Sequence, residues 1–347
     1  MISFVWTPSS FWEKPLPVIP GNGGTETFTL GQLRELGRCG VDAQIITFRM
    51  GKNDGREFSP DVSFVDYPQS TDLACLEGEV LLVSEPLRIP TKKVPHMILH
   101  NPPYITQTKQ FYKQHFKGHK LITNSQASAS LWADYLGIGQ NSLGVMYPFA
   151  DAAFGKVVPK ERPTDKVRVL FAGRLTPDKG FYTLLEALHF FADDRDIEFT
   201  VVLVGDQDKE FLLVEPLVRA HPLLQAVPAR RTAQDMAQLL SEYDVVVMPS
   251  HSVLWKESFG ILSVEAQHAG CQVVASNLGG LPETDCGGLT LFEPDNPVAL
   301  AAAIREAAAK GRLSESQRKK ASMRFTVEQS VDSLLALLKA DLPVYQP

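Results

Sequence analysis

The chain predicts an α/β protein of two doubly wound domains, on three observations. Short β-rich runs alternate with amphipathic helical stretches, the pattern of βαβ units built around parallel sheets. The alternation pauses in a mixed-charge stretch, Asp151–Lys166, which carries Gly155, Pro159 and Pro163 and reads as a linker. A length of 347 residues allows a hydrophobic core on each side of that pause.

In the first half the candidate strands are Ile2–Trp6, Gln44–Phe48, Val80–Ser84, Met97–His100 and Leu121–Asn124. A helix from about Thr25 to Arg38 follows the first strand after a long loop, with Gly40 as its C-terminal cap. A second helix runs through Ala127–Leu136. In the second half strand Val167–Phe171, helix Tyr182–Phe191, strand Phe199–Val204 and helix Thr232–Ser241 follow in turn. Strand Val245–Met248, a helix opened by Ser258-Phe259-Gly260, strand Gln272–Ala275 and an alanine-rich helix around Val298–Ala309 come next. Two more helical segments close the chain.

Composition sets outer limits. The apolar and charged fractions, 44% and 21%, are those of an ordinary globular protein. A formal net charge of −6 gives no reason to expect a nucleic-acid partner. Cys39, Cys75, Cys271 and Cys286 lack metal-ligand spacing and read as free thiols of a reducing compartment. The start Met1-Ile-Ser-Phe-Val-Trp6 has no basic region or apolar stretch of a signal peptide. With no apolar run of about 18 residues, the expected location is cytoplasmic, which leaves peripheral attachment to a membrane open.

Three motifs carry candidate chemistry. Residues 257–265 read Glu-Ser-Phe-Gly-Ile-Leu-Ser-Val-Glu and place two carboxylates around the start of a helix. A helix N-terminus has free N–H groups and partial positive charge, and flanking carboxylates accept from sugar hydroxyls. The combination suits a nucleotide sugar. Phe171-Ala-Gly-Arg-Leu-Thr-Pro-Asp-Lys-Gly180 lies between a strand and a helix, at the strand end where open α/β sheets bind ligands. Arg174 and Lys179 there meet a diphosphate as a planar fork and a point charge, or else decorate a solvated turn shaped by Pro177. Gly279-Gly-Leu-Pro-Glu283 follows a strand and allows backbone close to a ligand, and by itself is also an ordinary Gly-Pro turn.

These motifs appear in order with Leu203-Val-Gly-Asp206 and Gly270-Cys-Gln-Val-Val-Ala-Ser276, and together they resemble the C-terminal half of retaining glycosyltransferases of family 4, which have the GT-B fold. Gly23-Gly24-Thr25-Glu26, His100 before Asn101-Pro102-Pro103, and Ile122-Thr-Asn-Ser125 extend the resemblance through the first half. It implies two Rossmann-like domains facing a central cleft: an acceptor-side domain, residues 1–155, and a donor domain, residues 156–326. A C-terminal helix of about 327–347 is then placed to pack back on the first domain.

The resemblance also implies roles. Arg174 and Lys179 neutralise the donor diphosphate beside Gly173, Glu257 accepts from hydroxyls of the transferred sugar, and Glu265 from those of the ribose. The backbone of Phe259, Gly260 and Ile261 lines the sugar and phosphate, Gly23 and Gly24 let the opposing domain approach the phosphates, and His100 sits near the reacting sugar. The implied reaction moves a hexose-type sugar from a UDP- or GDP-linked donor to an unidentified hydroxyl acceptor. It proceeds with retention and needs neither metal nor cofactor. A GT-B epimerase, a phosphorylase and a non-catalytic nucleotide-sugar binder are the alternatives.

Other signals take bland readings. Asp194-Arg-Asp196 lies at the wrong end of its βα unit for a metal motif and reads as a solvated turn. Gly21-Asn-Gly-Gly24 lacks the dinucleotide spacing, which argues against a nicotinamide cofactor. Lys109, Lys113, Lys117 and Lys120, interleaved with Phe111, Tyr112 and Phe116, read as a solvated helix face over a packed aromatic one, in preference to a membrane-attachment face. The loop Thr7–Asn22 is either an acceptor contact or packed covering, and His268 reads as a packing residue. Pro148-Phe-Ala-Asp151 replaces the family's Asn-Gly-Val-Asp, Ser258 replaces a glycine, and Trp255 stands before Glu257.

Overall fold

A computed structural model describes residues 1–6, 24–48, 63–67, 70–83, 90–103, 107–160, 165–204, 209–230, 232–253 and 257–347. They form two compact units, Met1–Phe149 with Val327–Pro347, and Ala150–Thr326.

The first unit contains β1 (Ile2–Trp6), α1 (Gly24–Arg38), β2 (Ala43–Phe48), β3 (Phe64–Tyr67), β4 (Glu79–Val83), β5 (His96–Leu99), α2 (Lys109–Phe116), β6 (Lys120–Thr123), α3 (Gln126–Leu136) and β7 (Leu143–Val145). All pair in parallel, in the order β3-β2-β1-β4-β5-β6-β7. Every residue of β1 and β5 is buried, because helices cover both faces of the sheet and leave no polar side. This is why those strands are mostly apolar, with Ser3 and His96 as their polar members. Strand order reverses between β1 and β4, so α1 begins at the carboxyl edge beside a topological switch point. Gly40, at φ 72°, closes α1 in the left-handed conformation expected of a glycine cap.

Strands β3 and β7 were not legible in advance. β7 has three residues, and β3 lies at the far edge of the sheet, so neither presents a full apolar pattern. The lysine-rich stretch also differs from a single long helix. α2 stops at Phe116, Gly118 turns the chain at φ 85°, and Lys120 belongs to β6. Tyr112 and Phe116 are buried against Trp132, with ring centroids 5.0 and 5.3 Å away, so the aromatic face is a packing face.

The second unit contains α4 (Ala152–Lys156), β8 (Val167–Phe171), α5 (Phe181–Leu188), β9 (Ile197–Leu203), α6 (Lys209–Ala220), β10 (Leu224–Pro228), α7 (Ala233–Leu240), β11 (Val245–Met248), α8 (Ile261–His268), β12 (Gln272–Ser276), β13 (Leu289–Phe292), α9 (Pro297–Lys310) and α10 (Glu315–Ala321). Its strands are parallel in the order β10-β9-β8-β11-β12-β13, with the reversal between β8 and β11. Phe171, Phe181, Phe191, Phe199, Val245 and Ile304 belong to one buried cluster.

The unit boundary falls at Phe149/Ala150, ahead of the stretch whose composition reads as a linker. Asp151 caps α4 by accepting from the Ala153 N–H at 2.8 Å, and Phe154 is buried, so those residues belong to the second core. After α10, α11 (Val327–Lys339) returns to the first unit. There Val331 and Leu334 join the cluster of Leu33 and Leu36, and Gln32 Nε2 donates to Ser330 Oγ at 2.9 Å. Among the described residues no helix is long and apolar enough to cross a membrane.

Candidate active site

The second unit gathers its chemistry at the carboxyl edge of the sheet, beside the β8/β11 reversal. After β8 the chain passes Gly173 and Arg174, buries Leu175 and Thr176, and makes a tight turn at Pro177–Lys179. Gly180, at φ 70°, then starts α5. A Cβ on Gly180 would stand 1.6 Å from the Pro249 carbonyl oxygen, so the loops after β8 and β11 touch through bare backbone. Only glycine permits both that contact and that φ.

This contact brings the predicted residues into one place. Lys179 Nζ lies 2.6 Å from Glu257 Oε2, with both side chains mostly enclosed, and Ser250 Oγ donates to the same oxygen at 3.2 Å. Arg174 reaches Asp178 Oδ2 at 3.3 Å and remains 55% exposed, which leaves most of its fork open to solvent. An ammonium has three donors, so Lys179 can hold Glu257 and a phosphate oxygen together. A Cβ on Gly173 would meet Lys179 Cβ at 3.5 Å, ordinary contact, so Gly173 allows the approach of this lysine without demanding glycine.

Glu257 is followed by Gly260 at φ 94°, the N-cap of α8, which makes no side-chain capping bond. No side chain caps the start of α8, where the Ser263 N–H turns back to the Gly260 carbonyl at 3.0 Å, and a Cβ on Gly260 would meet Glu257 Cγ at 3.5 Å. The Phe259 side chain is buried and meets Phe325 edge-on at 5.3 Å, so only its backbone faces the site residues.

The Gly279-Gly280 turn takes a different role from the one its position suggests. Cβ atoms there would stand 2.2 Å from the Glu257 carbonyl oxygen and 2.3 Å from that of Ser258, and Gly280 N–H donates to Glu257 O at 2.9 Å. The backbone it approaches is the chain's own, and it props the Glu257 loop from behind.

Glu265, just over one turn into α8, is part-buried. Burial pushes its carboxyl up to about 7, and the charge of Asp151 adds to the rise. The sign follows from the protonated folded form. Its contribution to stability is full below the usual carboxylate range near 4.5 and is lost as pH rises through about 7. Ribose hydroxyls, were they to donate to Glu265 as the resemblance implies, would favour its charged form. Nucleotide binding at pH 7 should therefore release roughly half a proton. Calorimetry in two buffers of different ionisation enthalpy checks this, and Glu265→Gln should abolish the buffer dependence.

In the first unit, His100 follows β5 and is buried, with its ring edge-on to Phe28 of α1 at 4.8 Å. Burial holds its pKa near 4, so the imidazole is neutral at pH 7. Among the described residues its Nε2 finds no hydrogen-bond partner, an orphan that a ligand hydroxyl would satisfy. Among the described residues nothing stands within 4 Å of where a Cβ on Gly24, one turn before Phe28, would be. Gly23, the loop Thr7–Asn22, Trp255 and Asp206 lie outside the described residues. Asp194 accepts from the Asp196 N–H at 3.1 Å at the start of β9, a local turn far along the chain from these motifs. His268 is buried on α8. The four cysteines are free. Among the described residues no three His, Cys, Asp or Glu side chains gather as a metal site.

Asp178, Ser250, His251 and Asp295 also belong to this edge and were missed. The signal available was positional: Pro249-Ser250 follows a buried strand at its carboxyl end, where side chains meet ligands.

Two parallel doubly wound units, with cations and an uncapped helix start at one carboxyl edge, define the GT-B class of fold. Residues 156–324 match the family described as Glycosyl transferases group 1. It is 30% identical over 246 residues to a D-inositol 3-phosphate glycosyltransferase of Geodermatophilus obscurus, which is 64% of this chain and 52% of that protein. It is 28% identical over 210 residues to a glycogen synthase of Mycobacterium tuberculosis, 59% of this chain and 49% of that one. The chain thus spans about half the length of the curated relatives it matches. The crystal structure of Anabaena HepE in complex with UDP covers 98% of this chain and all of its own, with TM-score 0.73 and 18% identity. Sucrose-phosphate synthase of Thermosynechococcus elongatus gives the same TM-score and identity, with 98% of each chain covered. At such identities the likeness is one of fold.

Proposed function

We propose that this protein is a glycosyltransferase that moves a hexose-type sugar from a UDP- or GDP-linked donor to a hydroxyl acceptor, with retention and without a metal, in the cytoplasm. The observation that carries the reading is the convergence of Arg174, Lys179, Glu257 and the uncapped start of α8 at one sheet edge. The match of residues 156–324 to the group 1 glycosyl transferases supports it, as do the names of the relatives and the UDP and UDP-glucose of the HepE structures.

In this reading Arg174, Lys179 and the α8 N–H groups stabilise the negative charge of the departing diphosphate. Such fixed, preorganised donors act without a cofactor. Glu257 accepts from sugar hydroxyls, which orients the ring, and Glu265 accepts from the ribose. His100, neutral and with a free Nε2, hydrogen-bonds the reacting sugar. The bond from the anomeric carbon to the phosphate oxygen breaks as the acceptor oxygen attacks from the same face, and a leaving phosphate oxygen takes the acceptor proton. No side chain is then needed as a nucleophile.

Thermal-shift titration with UDP- and GDP-sugars tests the donor class, because a ligand that binds only the native state raises its stability, by about 2.7 kcal/mol at one hundred times Kd. Turnover in the presence of EDTA tests the metal independence. The anomeric configuration of the product by NMR tests retention, and an inverted product overturns it. Isomerised sugar formed without acceptor would replace the reading by the epimerase.

A further inference from the structure

Asp295 adopts φ 59° in the turn between β13 and α9. A side chain in this left-handed region costs free energy relative to glycine, even though Asp tolerates it better than most residues. Its carboxylate crosses to the loop after β11. Oδ1 and Oδ2 accept from the Ser252 N–H at 3.1 and 3.4 Å, Oδ2 also accepts from Ser252 Oγ, and Oδ1 lies 3.6 Å from His251 Nδ1.

The loop it holds, residues 249–253, touches the partners of both cations. Ser250 Oγ donates to Glu257, which pairs with Lys179. The His251 N–H donates at 2.9 Å to the carbonyl of Asp178, whose carboxylate pairs with Arg174. Pro249 O fills the space that a Gly180 side chain would take. One loop therefore sets where both cations' counter-charges stand, and Asp295 is its tether.

Resting on the donor-site reading above, we propose that Asp295 is a positioning residue: it latches the loop after β11 so that Arg174 and Lys179 present their charge to the diphosphate. The unfavourable backbone angle at Asp295 is offset because a side-chain oxygen at this position, which glycine lacks, makes the latch. Without it, Ser252 loses its anchor, and Glu257 and Asp178 no longer hold the two cations in one arrangement.

The test is titration calorimetry with UDP and with GDP on the full chain, for wild type, Asp295→Gly and Asp295→Asn, alongside apo thermal midpoints. Glycine removes the latch and also relieves the left-handed angle, so the apo midpoint should be at or above wild type. The Kd for the nucleotide should nevertheless rise about tenfold, the scale of one charge-assisted hydrogen bond. Asparagine accepts the angle and keeps an acceptor oxygen for Ser252, so its Kd should stay within about threefold of wild type. Unchanged nucleotide affinity in Asp295→Gly overturns the proposal. So does an apo midpoint that falls in step with the lost affinity, since Asp295 would then be structural only. If wild type binds neither nucleotide, the donor-site reading itself fails and the positioning role goes with it.

Discussion

Lys179→Ala is expected to slow sugar transfer about 10²–10³-fold, the usual effect of removing one preorganised donor from a charge that develops in the transition state. The fold should survive, because Lys179 is in a short surface turn and its aliphatic stem fills no part of the buried cluster. The loss has two sources. The diphosphate loses a cation, and Glu257 loses the partner that stands 2.6 Å from it, leaving a mostly enclosed carboxylate with, among the described residues, only the Ser250 hydroxyl. The double variant Lys179→Ala/Glu257→Gln separates them, since it removes the orphaned charge as well. Release of the nucleoside diphosphate, followed beside far-UV circular dichroism, is the measurement. Full activity in the single variant would contradict the assignment of Lys179 to the diphosphate.

Gly180→Ala should destabilise the second unit by about 3 kcal/mol or more, combining overpacking with a left-handed alanine. A methyl group there would overlap the Pro249 carbonyl, at 1.6 Å, and a carbonyl in a packed loop cannot rotate away. For a unit of this size the thermal midpoint should fall on the order of 10 °C. The effect should extend to function, because the displaced loop carries Ser250 and His251. Gly173→Ala is the contrasting control. Its nearest neighbour would be the Phe171 ring edge at 3.3 Å, which can give by a few tenths of an ångström, so its midpoint should stay near wild type. A wild-type midpoint in Gly180→Ala would show that the two loops are not in contact.

Much of the fold was legible because buried parallel strands announce themselves. β1, β8 and β11 coincide with the expected runs, since strands covered on both faces are predominantly apolar. The short and peripheral elements were not legible. β3, β7, β10 and β13 are edge or near-edge strands of three to five residues, in which polar and small residues interrupt the pattern. α4 was hidden by the glycine and prolines around it, and its existence depends on Phe154 finding a core to enter. The same division holds in the site. Arg174, Lys179, Glu257 and Glu265 stood out because charge at the end of an apolar strand, or around a glycine-opened helix, has few structural uses. Asp295 did not, because a lone carboxylate in a Pro-Asp-Asn turn is indistinguishable from solvated turn chemistry.

By itself, the order of residues determined the two doubly wound units, the strand ends where ligands bind, and the charged and glycine positions at those ends. These are consequences of local periodicity and of which residue types tolerate burial. The tertiary structure alone decided which charges meet: that Lys179 pairs with Glu257 across 78 positions of chain, that Gly279 and Gly280 prop their own backbone, and that Asp295 tethers a loop 43 residues away. The physical reason is that pairings across such distances depend on sheet order and on the close approach of bare backbone. Neither leaves a periodic trace along the chain.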